Sequence, residues 1–248
     1  MRGRGWVPVR PFPVRAALAA AAVAAFFFGL GLGAAGVGAA GGPAVQVRSV
    51  QTGEKVIALT FDDGPSPVYT PQILALLQRY DAKATFFVIG QELLQYPAVA
   101  RSEVAAGMEL GNHGFHHLTL RGLDPTAVRA EVLPAEREIT TLTGNRPTVY
   151  RLPRGTGDRR VLRTLGDMGY VTVNWTIDTR DWAGTSAARI SALVLRRAAP
   201  GAIVLFHDGG GDRSQTVQAL ASLLPALQAQ GYRFVTVSQL LEMGTAQH

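Results

Sequence analysis

What most constrains this chain is an alternation. From Val56 onward, short apolar runs alternate with stretches of helical spacing. The runs are VIALTF (56–61), ATFFVIG (84–90), MELGNH (108–113), TVYRLP (148–153), YVTVNWTI (170–177), AIVLFH (202–207) and RFVTV (233–237). Between them lie TPQILALLQRY (70–80), a stretch reaching about Ala106, and segments from Pro125 to Thr143, Arg159 to Met168, Ser186 to Ala198 and Gln215 to Gln230. A short helix is expected to close the chain. Strand followed by helix, repeated about seven times, implies a parallel sheet covered by helices. A closed barrel and an open doubly wound sheet both satisfy that pattern. The polar residues at the strand ends decide between them. Asp62 and Asp63 follow the first run, His113 ends the third, Arg151 lies in the fourth, Asp178 follows the fifth and His207 ends the sixth. Side chains from so many strand ends converge only if the strands form a ring, whose C-terminal ends share one face. The expected fold is a distorted (β/α) barrel with about seven parallel strands.

Residues 1–42 differ from the rest. They carry Arg2, Arg4, Arg10 and Arg15 but no acid, and residues 16–42 carry no charge at all. This reads as an export segment with a basic cytoplasmic end. Two forms fit: a signal peptide cleaved at a small-residue site, or a transmembrane signal anchor, for which about 20 apolar residues suffice. Either form puts the remainder outside the cytoplasm, secreted or tethered only through this segment. Residues 43–55 read as a polar linker, and 56–248 as the folded domain. Without the four arginines the net charge of +6 falls to +2, with 20 basic against 18 acidic residues. That balance gives no ground for a nucleic-acid partner, and a monomer is expected.

The chain has no cysteine, so its core alone holds the fold and a metal site must draw on His, Asp, Glu or Asn. Four of the five histidines fall in two short segments. In Gly111-Asn112-His113-Gly114-Phe115-His116-His117, His113 and His117 are four apart, a spacing that one helical turn would bring onto one face. His113 with His116 is the other possible pair. Two histidines and a carboxylate with open coordination positions form the usual hydrolytic or non-haem iron metal arrangement. In Thr60-Phe61-Asp62-Asp63-Gly64-Pro65, two adjacent carboxylates end a strand, so one can bind a metal while the other acts as a base. His207 in Phe206-His207-Asp208 suits acid–base work, because its pKa lies near operating pH. Asp178-Thr179-Arg180-Asp181-Trp182 adds an acidic pair beside an aromatic ring. Arg151-Leu152-Pro153-Arg154-Gly155 adds cations able to pair with a carboxylate.

TFDDGP, H-x-x-x-H, R-x-P-x-G, D-T-x-D-W and I-V-L-F-H-D, in that order over roughly residues 55–240, resemble the polysaccharide deacetylase family, also known as the NodB-homology or carbohydrate esterase family 4 domain. The resemblance implies a distorted (β/α) barrel and a metal-dependent hydrolase that deacetylates an N-acetylated polysaccharide. It implies Asp63, His113 and His117 as ligands of a divalent metal, usually Zn2+, with Co2+ or another ion as alternatives. Asp62 is implied as the catalytic base, Arg151 as its partner, His207 as the general acid and Asp178 as the group setting its protonation. Trp182 and Leu205 would line the pocket for the acetyl methyl group, and the backbone N–H at Arg154 would face the oxyanion. Two positions depart from the family pattern. Gly114 stands where Ser or Thr often follows the first histidine, which removes a side-chain hydrogen bond near the metal. Arg154 stands where Tyr is frequent, which puts a cation on the substrate face and favours an anionic glycan. O-deacetylation of a glycan such as acetylxylan, and a catalytically silent glycan-binding envelope protein, remain as alternatives.

Overall fold

The structure is a computed structural model and describes residues 46–248. The export segment expected over 1–42 lies outside the described residues. Among the described residues, no helix is long and apolar enough to cross a membrane.

In chain order the elements are β1 (Gln46–Val47), β2 (Ser49–Gln51), β3 (Val56–Asp62), α1 (Tyr69–Arg79), β4 (Ala84–Val88), α2 (Gly90–Gln95), α3 (Pro97–Ala105), β5 (Glu109–Asn112) and α4 (Pro125–Thr143). Then come β6 (Val149–Tyr150), α5 (Arg159–Asp167), β7 (Val171–Val173), β8 (Ile177–Asp178), α6 (Ala187–Arg197), β9 (Ala202–His207), α7 (Ser214–Ala229), β10 (Arg233–Phe234), α8 (Val237–Glu242) and β11 (Thr245–Gln247). Parallel pairings join β7, β6, β5, β4, β3 and β9 in that order, and β8 lies parallel to β9. β1 pairs with β7, while β2, one residue further on, pairs antiparallel with β9. Segment 46–51 thus spans the gap between the two ends of the sheet and leaves it a nearly closed barrel.

Side-chain alternation explains why the strands are buried on both faces. In β3, Ile57, Leu59 and Phe61 face the helices and pack with Ile73 and Leu77 of α1 and Leu220 and Leu223 of α7. Phe61 stacks between Phe86 and Phe206, with ring centroids 4.9 and 5.6 Å away. Val56 and Ala58 face the barrel interior with Phe87, Val149, Val173 and Ile203. Asp62 continues the interior-facing series, so the strand period aims it into the barrel mouth. α4 and α5 start on Asp124 and Asp158, whose carboxylates accept from the first free N–H groups of each helix.

Four sequence expectations change. The polar linker 43–55 contains β1 and β2, with Val47 and Val50 buried. The helix expected up to Ala106 breaks before Pro97, which starts α3 because its missing N–H costs nothing at a helix start. The run 170–177 divides, β7 staying beside β6 while β8 crosses to β9. In 233–237 only Arg233–Phe234 is strand, because Thr236 caps α8 in a reciprocal capping box with Gln239.

Candidate functional site

The C-terminal strand ends open into a cleft of about 410 Å³. Asp62, Asp63, His113, His117, Arg154, Asp178, Trp182, Leu205 and His207 line it, all of them singled out in the sequence. Arg151 lies beneath, fully buried. A larger groove of about 650 Å³, lined by Lys83, Arg233 and Glu242 among others, holds no histidine.

Asp63 turns away from β3 with φ of 73°, which swings its carboxylate out of line with that of Asp62. Its Oδ1 lies 3.5 Å from His113 Nε2 and 3.3 Å from His117 Nε2. The three ligand atoms of Asp63, His113 and His117 all lie within 4.8 Å of one another. The histidines do not share a helical turn, as their spacing suggested. His113 follows β5 and the chain then loops, with φ of 85° at Gly114 and 58° at His117.

Local chemistry suits these residues to a cation. His113 Nδ1 lies 2.8 Å from the carbonyl oxygen of Arg151. A carbonyl only accepts, so Nδ1 carries a proton, and in the neutral ring that a metal ligand needs the Nε2 lone pair faces Asp63. Asp63 Oδ1 is buried and accepts no hydrogen bond. Burial alone would raise the Asp63 carboxyl, but the surrounding imidazoles, His113 first and then His207 and His117, hold it well below the usual range. Burial first, and then the neighbouring His113, lowers His117, which favours the neutral form a ligand needs.

Asp62 is fixed differently. Arg151 donates to its Oδ1 and to Thr60 Oγ1, each at 2.7 Å, and also to the carbonyls of Val173 and Asn174. The guanidinium lies 4.1 Å from the Phe87 ring centroid. A fully buried cation survives only with such complete pairing. Asp62 Oδ2 is left 3.8 Å from His113 Nε2.

His207 has Asp181 as its partner, not Asp178 as the sequence suggested. His207 Nδ1 lies 2.8 Å from Asp181 Oδ1, and its backbone N–H donates to Asp181 Oδ2. Asp181 also accepts from Thr216 Oγ1 and the Trp182 N–H. Arg180, with φ of 55°, reverses the chain between the two acids. Asp178 lines the cleft and accepts from the Arg180 N–H instead. Burial works against the His207 cation, but the Asp181 hydrogen bond and the nearby carboxylates outweigh it and raise its pKa.

Sequence reasoning also missed Asn112 and Trp175. Asn112 donates to Val132 and Tyr170 and accepts from the Gly114 N–H, holding the start of the histidine loop. Trp175 forms a cleft wall against Gly155, where a Cβ would lie 2.7 Å from the indole. The Gly in R-x-P-x-G was the available signal.

Comparison with known proteins agrees with this geometry. A family model for polysaccharide deacetylase matches residues 49–173. A peptidoglycan-N-acetylglucosamine deacetylase of Bacillus cereus is 44% identical, covering 77% of this chain and 91% of its own. A chitooligosaccharide deacetylase of Bradyrhizobium is 41% identical, covering 76% and 92%. Among solved structures, the Bc1960 peptidoglycan N-acetylglucosamine deacetylase superposes with a TM-score of 0.76 at 31% identity, covering 81% of this chain and 94% of that one. Fold, cleft and sequence similarity together show that this chain belongs to the polysaccharide deacetylase family.

Proposed function

We propose that this protein is a metal-dependent deacetylase that frees acetate and an amine from N-acetylated polysaccharide, of the peptidoglycan or chitin type, outside the cytoplasm. One observation carries the reading: three metal-ligand donors, an arginine-bound carboxylate and an aspartate-bound histidine meet in one cleft. The names of the relatives favour N-deacetylation over O-deacetylation of a xylan. The uncharged segment 16–42 supports export, secreted or tethered.

Asp63, His113 and His117 would hold the ion, Zn2+ by the nitrogen-rich donor set. When bound, a divalent ion polarises the acetyl carbonyl and makes water more acidic. Asp62 accepts the proton of the attacking water through Oδ2, while Arg151 occupies Oδ1. The backbone N–H at Arg154 offers the developing oxyanion a donor. His207, its Nδ1 bound to Asp181, presents Nε2 to the leaving nitrogen and gives it a proton. Trp182 and Leu205 shape the acetyl pocket, and exposed Arg154 sets a cation at its mouth.

The test is acetate release by the Zn2+-loaded exported part, residues 43–248, from chitooligosaccharide, peptidoglycan and acetylxylan. Acetate with matching free amine from either of the first two is expected. Acetate from acetylxylan alone would make the protein an O-deacetylase, and none from any glycan would favour the catalytically silent alternative.

A further inference from the structure

We infer that Glu131 of α4 is the positioning residue of the histidine loop, holding His116 out of the metal site and His117 in it. This rests on the reading that Asp63, His113 and His117 bind a divalent ion.

The loop after His113 has no helix or strand to hold it, and two of its residues, Gly114 and His117, are left-handed. Something outside the loop must fix that path. Glu131 sits in the middle of α4, yet it is only 3% exposed. A buried carboxylate needs donors, and those of Glu131 come from this loop. Oε1 accepts from the His116 N–H at 2.6 Å and the Leu118 N–H at 3.3 Å, and Oε2 lies 2.9 Å from His116 Nδ1. The backbone carbonyl of the same residue accepts from the Phe115 N–H at 3.0 Å. One residue therefore ties down positions 115, 116 and 118, on both sides of His117.

The consequence for the three histidines is selective. His113 is held separately, by the Arg151 carbonyl. The His116 ring is turned to Glu131 and lies edge-on to Phe115. His117 is left with Nε2 at 3.3 Å from Asp63. Gly114 fits the same arrangement, because a Cβ there would lie 3.0 Å from Glu131 Oε1 and 3.3 Å from Tyr150 Oη. The carboxylate and the phenol fill the space where a hydroxyl-bearing side chain at 114 would stand. The N–H groups of Gly90 and Gln91 in α2 hold the carbonyls of Gly114 and Phe115, and the side-chain anchor for residues 116 and 118 comes from α4 rather than from the loop itself.

The test measures Zn2+ affinity of the full chain by competition with a chromophoric chelator, alongside the visible spectrum of the Co2+ form. Melting of the metal-free protein serves as the folding control. Removing a group that orients ligands typically weakens metal binding about 10–100-fold, and that loss is expected for E131A, with an altered Co2+ spectrum. E131Q keeps an acceptor for both N–H groups and is expected to recover most of the affinity. H116A keeps the backbone clamp and is expected to stay within about threefold of the parent. A folded E131A with parental affinity and spectrum would overturn the inference, as would H116A losing as much as E131A, since His116 would then be a ligand. Should E131A fail to fold, E131D draws the carboxylate back by one methylene, and parental affinity there overturns the inference equally. If the parent chain binds neither ion, the metal-dependent reading itself falls; parental binding with an indifferent Glu131 removes only this inference.

Discussion

Asp178 and Asp181 are three residues apart, but only one touches His207. His207 must carry a proton to act as an acid, and Asp181 raises its pKa by accepting from Nδ1. A bound cation opposes the contribution of Asp63, so the Asp181 bond is the part that persists in the loaded enzyme. Asp181→Asn removes the anion and lowers the His207 pKa. The basic limb of the kcat/KM–pH profile is therefore expected to move to lower pH, with kcat down by about 10²-fold or more. Asp178→Asn should leave that limb in place, and a profile that moves for Asp178 but not for Asp181 would reverse the assignment. The adjacent acids separate by a different measurement. Asp63→Ala should abolish Zn2+ binding, whereas Asp62→Asn should keep the metal and lose about 10²-fold or more in turnover. Metal retained by Asp63→Ala would remove it from the ligand set.

At the scale of elements, the loop from β9 to α7 braces the corner that carries both acids. The N–H groups of Asp208 and Gly209 donate to the Asp62 carbonyl. Arg213, buried, donates from Nε to the Gly209 carbonyl and from a terminal nitrogen to that of Gly210. A Cβ at Gly209 would lie 1.9 Å from the Asp63 carbonyl oxygen, a clash with backbone that has no easy escape. Gly209→Ala is therefore expected to displace Asp63 and weaken Zn2+ binding about tenfold or more, the scale on which misoriented ligands are felt. Gly166→Ala in α5 meets nothing within 4 Å and should stabilise the protein by roughly 0.5–1 kcal/mol. Calorimetry and chelator competition on the two variants check both outcomes. These loops mark where sequence reading ends. Strand runs and their polar ends were legible, because burial on both faces makes Val56 to Phe61 apolar almost throughout, and the strand period aims Asp62 into the mouth. The partner of His207 was not, because the reversal at Arg180 leaves no periodic trace. Nor was the loop path to His117, since a spacing of four suggests a helix until Gly114 and Glu131 impose another route.

For the whole molecule, the least legible feature is what closes the barrel. Segment 46–51 looks like a polar linker because only Val47 and Val50 face inward, too few for a pattern, yet both are at most 3% exposed. The Asn174 N–H donates to the Val47 carbonyl at 2.7 Å, the Val50 N–H to Gly201 at 3.0 Å and the Arg48 N–H to Gln247 at 2.8 Å, so the segment ties β7, β9 and β11 together. Burying two valines is worth roughly 1.5–3 kcal/mol each, so removing the segment is expected to cost about 4 kcal/mol. That is less than the 5–15 kcal/mol typical of a domain's stability. A chain starting at residue 56 is therefore expected to fold, but with Tm lower by on the order of 10 °C than one starting at residue 43, given about 2–4 °C per kcal/mol at this size. It should also aggregate more readily, because the edges of β7 and β9 lose their cover. Thermal unfolding of both forms with chelator present separates this effect from metal binding. Equal Tm values would mean that the sheet holds its curvature without the crossing segment, and that the ring is maintained by the helices packed around it.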